Sequence, residues 1–380
     1  MSAPWNRWWS GVAGLWMVFA VQAEPLRVFV GTYTGPKSEG IYAFRFDNET
    51  GEVEPLGLAA KSPQPSYLAV SPDQRFLYAV NEENTWKGQP GGSVTAFAIP
   101  AKGGTLKELN QQFSGGAAPC HLTVDPSGRC VLAANYTGGS VVTLPINPDG
   151  SLRPQSAFVQ HTGSSVNPAR QKEPHAHSVN LSADGSRAYV ADLGTDRIQI
   201  YRFDAGTGSL MANDPASVAL PPGSGPRHFA FSPDGRLAFV INEMLSTLTS
   251  FTVDSSRGAL QAVDTVSTLP PDFKGQSSTA QVCVHPNGRF VYGSNRGDDS
   301  IAVFEVNSEG KLKWVERVST QGKTPRNFNL DPSGRFLWAA NQGSDSIVLF
   351  QVDAKTGRLT PTGKTLSVGS PVCVVFTPGS

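Results

Sequence analysis

The chain carries little charge and no excess of either sign. Asp, Glu, Lys and Arg make up 16% of its 380 residues, and 31 basic residues balance 31 acidic ones. A neutral chain without a basic run excludes a protein that holds nucleic acid through a global positive field. Any recognition of an anion must therefore be local.

Cysteine is scarce as well. The four cysteines do not show the CxxC spacing that is typical of a metal site. Cys120 and Cys130 share a predicted hairpin, in which antiparallel pairing places Cys130 opposite about Val124. That position is roughly 13 Å along the strand from Cys120, which is too far for a disulfide. We interpret the four thiols as small buried residues and expect neither a metal nor another cofactor.

One apolar run lies near the N-terminus. It covers residues 11–20 and is too short to span a bilayer comfortably. Arg7 is the only charged residue before it, and the small residues that end at Ala23 fit the rule for signal-peptide cleavage. The sequence therefore predicts a signal peptide over 1–23 and an exported domain, periplasmic or secreted, over 24–380. We expect no stable membrane insertion after cleavage; the alternative is an uncleaved membrane anchor.

A sustained helical period is missing beyond the N-terminus, and a repeated phrase takes its place. The phrase recurs as SPDQRFLYAVNE at 71–82, DPSGRCVLAANY at 125–136, SADGSRAYVADL at 182–193, SPDGRLAFVINE at 232–243, HPNGRFVYGSNR at 285–296 and DPSGRFLWAANQ at 331–342. Each phrase holds a turn rich in Pro, Asp and Gly between segments of alternating polarity, and two further strand-like segments follow. Four antiparallel strands in a repeat of about fifty residues are typical of a β-propeller blade.

The two chain ends predict a seventh blade beyond the six phrases. The segment 370–380 matches the opening strand of a repeat, and 26–51 matches 335–357, the remainder of one. We therefore predict an all-β, seven-bladed β-propeller whose ring is closed by pairing of the terminal strand 371–377 with the strand near 27–33. Such pairing leaves no open sheet edge.

The repeats also predict where ionisable side chains gather. Antiparallel pairing puts the start of strand one and the end of strand two of every blade on one face of the disc. The residues in these columns include His121, His177, His228, Arg227, Arg296, Arg326, Glu82, Glu243 and Gln342. Packing between blades does not need such a concentration of ionisable groups, so the face is predicted to hold a small-ligand pocket. Taken singly, each residue could equally be a wall residue bonded to backbone.

Several motifs resemble the seven-bladed lactonase family, which includes the propeller-type 6-phosphogluconolactonase and the fungal carboxymuconate cycloisomerase. The motifs are VGTYTG at 30–35, HAHSVNLSADG at 175–185, GPRHFAFSPDG at 225–235, SNRGDDSIAVFEV at 294–306 and TPRNFNLDPSGRFLWAANQ at 324–342. The resemblance covers essentially the whole mature chain. It implies an enzyme that opens a small-molecule lactone, with His177, Arg227, Glu243 and Arg296 in the active site. We add Arg326, His228, His121, Glu82 and Gln342 as candidate substrate-binding residues.

The residue types suit lactone opening, in which water attacks a carbonyl. Glu243 or His177 could be the general base, and the forks of Arg227 and Arg296 suit an oxyanion, a carboxylate or a phosphate. The sequence has no GxSxG elbow, so we expect direct attack of water without a covalent intermediate or a metal. His175 and His177 form an HxH pair, which by itself is weak evidence for a metal.

Two other classes of function remain open. One is a non-enzymatic exported propeller that serves as a binding or envelope-associated module. The other is a calcium-dependent lactonase of a different propeller type. That type needs a cluster of Asp, Asn and Glu at the axis, and the Arg-rich rim argues against it. Fold alone does not decide among them. The phosphorylated lactones on which cytoplasmic members of the family act should be scarce outside the cytoplasm. The sequence does not define the oligomeric state.

Overall fold

The structure is a computed structural model that describes Met1 and residues 25–378. The predicted signal peptide, apart from Met1, and its cleavage site lie outside these residues. Residues 25–378 form strands joined by turns and loops, with a single 3-10 turn at Gln342–Ser344. Within these described residues, no helix has the length and apolarity to cross a membrane.

The strands in the first half of the chain are β1 (Leu26–Thr32), β2 (Gly40–Phe46), β3 (Val53–Lys61), β4 (Leu68–Val70), β5 (Phe76–Asn81), β6 (Thr85–Trp86), β7 (Gln89–Pro90), β8 (Ser93–Ala98), β9 (Lys107–Phe113), β10 (Pro119–Val124), β11 (Cys130–Asn135), β12 (Ser140–Pro145), β13 (Ala157–Gln160), β14 (Ala176–Leu181) and β15 (Arg187–Asp192). Those in the second half are β16 (Arg197–Asp204), β17 (Ser209–Ala219), β18 (Pro226–Phe231), β19 (Leu237–Asn242), β20 (Thr247–Asp254), β21 (Ala259–Ser267), β22 (Ser278–Val284), β23 (Phe290–Arg296), β24 (Ser300–Val306), β25 (Leu312–Ser319), β26 (Pro325–Leu330), β27 (Phe336–Asn341), β28 (Ser346–Val352), β29 (Leu359–Ser367) and β30 (Pro371–Pro378).

Within residues 25–378, twenty-eight of these strands form seven four-stranded antiparallel sheets, which are the blades. From the axis outward they are β30-β1-β2-β3, β4-β5-β8-β9, β10-β11-β12-β13, β14-β15-β16-β17, β18-β19-β20-β21, β22-β23-β24-β25 and β26-β27-β28-β29. We number them blades 1 to 7 in this order. The innermost strand of every blade contacts the innermost strands of both neighbouring blades, so the ring is complete. The predicted all-β, seven-bladed fold is confirmed.

The ring is closed as the matching chain ends predict. β30 pairs antiparallel with β1, from Leu26 opposite Pro378 to Thr32 opposite Pro371. Blade 1 therefore takes its innermost strand from the C-terminal end and its other three strands from the N-terminal end.

A layer of apolar side chains fills each gap between neighbouring blades. Seven buried clusters lie in the described part of the chain, one at each of the seven junctions. At the junction of blades 7 and 1, Trp338 meets Phe44 and Phe46 edge-on, with ring centroids 5.9 and 5.2 Å away. Each such pair adds about 0.5–1.5 kcal/mol beyond the burial of its area. Because both faces of a blade are covered, second strands such as β11 are buried along their whole length.

The repeated phrase forms the turn between strands one and two of a blade. In blade 3, the carboxylate of Asp125 accepts hydrogen bonds from the backbone nitrogens of Arg129 (2.7 Å) and Cys130 (2.6 Å). Gly128 has a φ of +69°, a left-handed conformation that glycine adopts without strain. The phrase therefore recurs because each of the six unsplit blades needs the same turn.

The four cysteines are free. Val124 pairs with Val131 rather than Cys130, one position from the predicted register. Cys120, Cys130 and Cys373 are buried, as expected, whereas Cys283 is only partly buried.

Candidate active site

The innermost strands carry β-bulges at the face of the disc where the second strands end. In β18, the residue pairs on either side of Arg227 skip that residue, so Arg227 has no partner on β19. The residues skipped in the same way in other blades are Cys120, His177, Arg326 and Val372. A bulge re-aims the side chain of the extra residue, and bulges are over-represented beside active sites. The column that the sequence shows at the start of strand one is largely a set of bulge residues.

The carboxylate of Glu243 gathers three guanidinium groups, and we call these four residues the arginine cluster. Arg227 Nε donates to Oε2 over 3.1 Å, and Arg296 Nη2 lies 3.0 Å from the same oxygen. Arg170 Nη2 donates to Oε1 over 2.8 Å. Glu243 and Arg227 belong to blade 5 and Arg296 to blade 6, while Arg170 lies on the long loop between β13 and β14.

The charges of the arginine cluster keep Glu243 ionised. Burial alone would raise its pKa, but Arg296, Arg227 and Arg170 outweigh burial and hold the pKa at about 2. Burial, together with the positive charges of Arg326 and Arg296, lowers the pKa of Arg227 to about 9, so its guanidinium is still protonated at neutral pH. Three positive charges against one negative charge leave this wall strongly positive.

Three histidines pack together beside and beneath the arginine cluster. His228 lies edge-on to His121 and His177, with ring centroids 5.2 and 5.4 Å away, and Tyr67 stacks on His121 at 4.0 Å. Burial and the nearby charge of Arg227 lower the pKa of His121 to about 3, and they hold those of His177 and His228 well below the usual range. All three imidazoles are therefore neutral at neutral pH.

Two neighbouring cavities lie at this face. The inner chamber has a volume of about 310 Å³ and is lined by Glu82, Cys120, Tyr136, Arg170, His177, Glu243, Arg296 and Arg326. The outer chamber, of about 730 Å³, is lined by polar residues that include Asn167 and the segment 275–278, with Met244. Arg170, Glu243 and Arg296 border both chambers. The inner volume is at the lower end of the range for small-ligand sites.

The inner chamber has a second polar group, Glu82 and Arg326, which together with the adjoining Tyr33 we call the open half. Tyr33 Oη donates to Glu82 Oε2 over 2.9 Å. The guanidinium carbon of Arg326 lies 5.2 Å from the centroid of the Tyr33 ring. Among the described residues, Arg326 makes no hydrogen bond and no ion pair. The open half thus presents one guanidinium and one carboxylate that attract each other electrostatically but make no hydrogen bond or close ion pair with each other.

The structure brings together most of the residues proposed from the sequence. His177, Glu243, Arg296, Arg326 and Glu82 line the inner chamber. Arg227 is buried directly behind Glu243, and its Nη1 donates to the carbonyl of Ala280 (2.7 Å) and to His228 Nε2 (3.0 Å). The bond to Nε2 requires His228 to carry its proton on Nδ1, which faces Gln281 Oε1.

Three proposed substrate-binding residues do not line the two chambers. His121 and His228 follow the bulge residues on β10 and β18, and their rings are buried among other rings rather than at the chamber wall. Gln342 begins the 3-10 turn and is only partly buried. These positions favour a structural role for the three side chains.

Sequence reasoning missed Arg170. It lies on the loop 161–175, which has no counterpart in the other repeats, so no column points to it. Tyr136 was visible in the column that contains Glu82 and Glu243; its hydroxyl accepts a hydrogen bond from Arg170 Nη2 (2.9 Å), and its ring lies between His175 and His177. The HxH pair therefore flanks a tyrosine. Among the described residues, no three His, Cys, Asp or Glu side chains are grouped as a metal would require.

A family model described as "Lactonase, 7-bladed beta-propeller" matches residues 27–376. The chain belongs to this lactonase family. The resemblance that the motifs indicate is confirmed, and with it the prediction of an enzyme. The non-enzymatic binding module loses its support accordingly.

Several relatives of this lactonase-family chain carry the name 6-phosphogluconolactonase. The protein from Bacillus subtilis is 40% identical over 349 residues, which cover 92% of this chain and 97% of the relative. The protein from Formosa agariphila is 34% identical over 92% of this chain and 99% of its own. Among solved structures, the periplasmic gluconolactonase of Pseudomonas aeruginosa superposes with a TM-score of 0.87 at 37% identity, covering 94% of this chain and 100% of that one.

Proposed function

We propose that this lactonase-family enzyme hydrolyses a sugar lactone in the inner chamber by direct attack of water, without a metal. The observation that carries the proposal is the pairing of a positive wall with a small polar chamber. Charge develops on the lactone carbonyl oxygen when water adds to it, and preorganised donors in a site of low dielectric stabilise that charge strongly. Arg296 and Arg170 face the chamber, and Arg227 adds its positive charge from behind Glu243.

A covalent intermediate is disfavoured by the residues that line the inner chamber. They include neither serine nor threonine among the described positions. Cys120 is the thiol that lines it, and burial raises the pKa of that thiol well above its usual range. The thiolate is the nucleophilic form, so Cys120 is a poor nucleophile, which supports attack by water.

Glu243, one of the two general bases that the sequence favours, is a weak base. A carboxylate with a pKa of about 2, bonded to three guanidiniums, takes up a proton reluctantly. We assign it the role of fixing the positions of Arg296 and Arg170. His177 is neutral, and its Nε2 lies 3.9 Å from Glu243 Oε2, so it can donate or accept a hydrogen bond at the chamber wall.

The substrate class follows from the family and from the expected location. Two relatives are named for a phosphorylated sugar lactone, while the Pseudomonas protein is named a periplasmic gluconolactonase. If the signal peptide over 1–23 is cleaved, the enzyme meets lactones outside the cytoplasm. We therefore propose an unphosphorylated aldonolactone as the substrate.

A lactone panel tests this function. The purified domain, residues 24–380, would be given δ-gluconolactone, its 6-phosphate and other sugar lactones at fixed pH, with and without EDTA, and acid release would be followed in a pH-stat. We expect turnover that is unaffected by EDTA and faster with the unphosphorylated lactone. Complete loss of activity in EDTA, or no turnover with any lactone, would contradict the proposal.

The location has its own test. N-terminal sequencing of the protein recovered from the periplasmic fraction should begin near Glu24. An intact terminus in the membrane pellet would favour the uncleaved anchor.

A further inference from the structure

The inner chamber contains a second carboxylate, Glu82, that does not belong to the arginine cluster. Glu82 follows β5 in blade 2 and lines the same chamber as Glu243. Its Oε2 accepts one hydrogen bond, from Tyr33. Among the described residues, no donor is bonded to its Oε1. In Glu82, one carboxylate oxygen is therefore hydrogen-bonded to Tyr33, and the other can accept a hydrogen bond from a ligand or water.

The position of Glu82 is fixed by the neighbouring loops. Its backbone nitrogen donates to the carbonyl of Gln64 (3.0 Å), and the Gln64 side-chain oxygen accepts from the backbone nitrogen of Thr34 (3.2 Å). Thr34 directly follows Tyr33, so the phenol and the carboxylate belong to one bonded unit across blades 1 and 2. Burial raises the pKa of the Tyr33 phenol above its usual value, so the hydroxyl keeps its proton and remains a donor.

We propose that Glu82 is the general base of the proposed hydrolysis and that Tyr33 is its positioning residue. The inference rests on the proposed function. A lactone whose carbonyl oxygen faces the arginine cluster exposes its carbonyl carbon towards the open half of the same chamber. Water between that carbon and Glu82 Oε1 is held by an oxygen that, among the described residues, is not hydrogen-bonded to a guanidinium. Glu243 differs from Glu82, because three guanidiniums compete with water for the two carboxylate oxygens of Glu243.

In the proposed reaction, Glu82 takes a proton from water and later returns it to the leaving group. Water adds its oxygen to the carbonyl carbon and gives one proton to Glu82 Oε1, and the tetrahedral oxyanion faces Arg296 and Arg170. When the bond from the carbonyl carbon to the ring oxygen breaks, protonated Glu82 returns the proton to the leaving alkoxide. The product is the open hydroxy acid, which loses its own proton to solvent at neutral pH. Arg326 lies in the field of the Glu82 and Glu243 carboxylates without a hydrogen bond to either, so its guanidinium is placed to hold the resulting carboxylate.

The next residue provides a matched control. Glu83 is adjacent in sequence and partly buried, yet it does not line the chamber. Glu82→Gln and Glu83→Gln therefore remove the same charge at neighbouring positions. We expect Glu82→Gln to lower kcat by about 10²–10⁴-fold, the usual range for a general base, with little change in KM. Glu83→Gln should keep wild-type kinetics.

Two further variants separate chemistry from structure. Glu82→Ala with added formate should recover part of the lost kcat, because a small carboxylate can occupy the vacated space, while formate should not affect the wild type or Glu83→Ala. Tyr33→Phe, which keeps Glu82 but removes the bond that orients it, should show a smaller fall in kcat at the same thermal midpoint. A Glu82→Gln enzyme with kcat within about threefold of wild type, or one in which only KM rises, would overturn the assignment while leaving the lactonase proposal intact. A wild-type enzyme that opens no lactone would remove both.

Discussion

The carboxylates in the two halves of the inner chamber differ in burial and in the groups that are bonded to them. Glu243 is almost fully buried and is bonded to three guanidiniums, whereas Glu82 is partly exposed and is bonded to one neutral phenol. Both residues occupy the same column, the position that ends strand two of a blade. The difference arises from their neighbours: Arg227 and Arg296 surround one carboxylate, and Tyr33 borders the other. Equivalent positions in a propeller can thus acquire different chemistry from adjacent blades.

This contrast assigns separate tasks to the two halves. A carboxylate that fixes cations is expected to matter for the stability and shape of the site. A carboxylate with a free oxygen is expected to matter for proton transfer. Each variant below is expected to affect one half more than the other.

The largest effect is expected from Glu243→Gln. It removes the counter-charge from three guanidiniums in a buried site, and breaking a buried ion pair from one side typically costs about 3–5 kcal/mol. We expect the free energy of unfolding, measured in urea, to fall by that amount and turnover to be lost. Glu82→Gln should cost no more than about 1.5 kcal/mol, since it weakens one hydrogen bond. Equal destabilisation of the two variants would contradict the division.

The second effect concerns the buried histidines that underlie the chamber. Because the folded pKa of His121, about 3, lies below the unfolded value of about 6.5, the unfolded chain takes up the proton first as the pH falls. Stability is therefore complete above about pH 6.5 and is lost towards pH 3, by about 1.4 kcal/mol per pH unit for each such histidine. His121→Gln should reduce the slope of the unfolding free energy against pH by about that amount. An unchanged slope between pH 6 and 4 would contradict burial of a neutral imidazole.

Arg227→Lys should act on both stability and turnover. Lysine cannot keep the bonds from Nε to Glu243 and from Nη1 to the carbonyl of Ala280, and an unsatisfied buried group costs about 1–3 kcal/mol. Glu243 would then hold Arg296 less firmly, so we expect turnover to fall by about 10²-fold. Arg236→Lys is the control, because Arg236 is an exposed residue of the same blade, paired with Asp234. Wild-type turnover in Arg227→Lys would contradict a role of Arg227 in positioning Glu243 and Arg296.

The smallest effect is expected for Arg170→Ala. The Arg170 side chain is 44% exposed, and exposed ion pairs contribute about 0–1 kcal/mol. Stability should change by no more than that. Since Arg170 borders both chambers, its removal should join them and alter KM for the sugar lactone more than kcat. Steady-state kinetics with lactones of different length would measure this change, and a kcat defect as large as that of Glu82→Gln would contradict it.

The fold could be predicted from the sequence because the repeated phrase encodes a structural unit that recurs in the blades. Each of the six unsplit blades needs the same tight turn between strands one and two, as Asp125 and Gly128 illustrate, and every blade buries its second strand. The split blade was visible because its two parts match segments of the intact repeats. Ring closure could therefore be predicted without long-range contacts.

The site was only partly predictable for a related reason. Alignment of repeats gives the blade and the height of a side chain, which identified Glu243, Arg296 and Glu82. It does not show that the bulge separates Arg227 from His228 or that Gln342 begins a 3-10 turn. It also gives no information about loops without a counterpart, so the third guanidinium on Glu243, that of Arg170, could not be placed.

The most direct test of this account is a crystal structure of the enzyme with the aldonate product of its best lactone. We expect the carboxylate carbon to lie in the inner chamber, with one oxygen within hydrogen-bonding distance of Arg296, Arg170 or Arg326 and with Glu82 Oε1 facing the same carbon. A carboxylate bound elsewhere on the disc, or bound with Glu82 directed away from it, would contradict the division between the two halves.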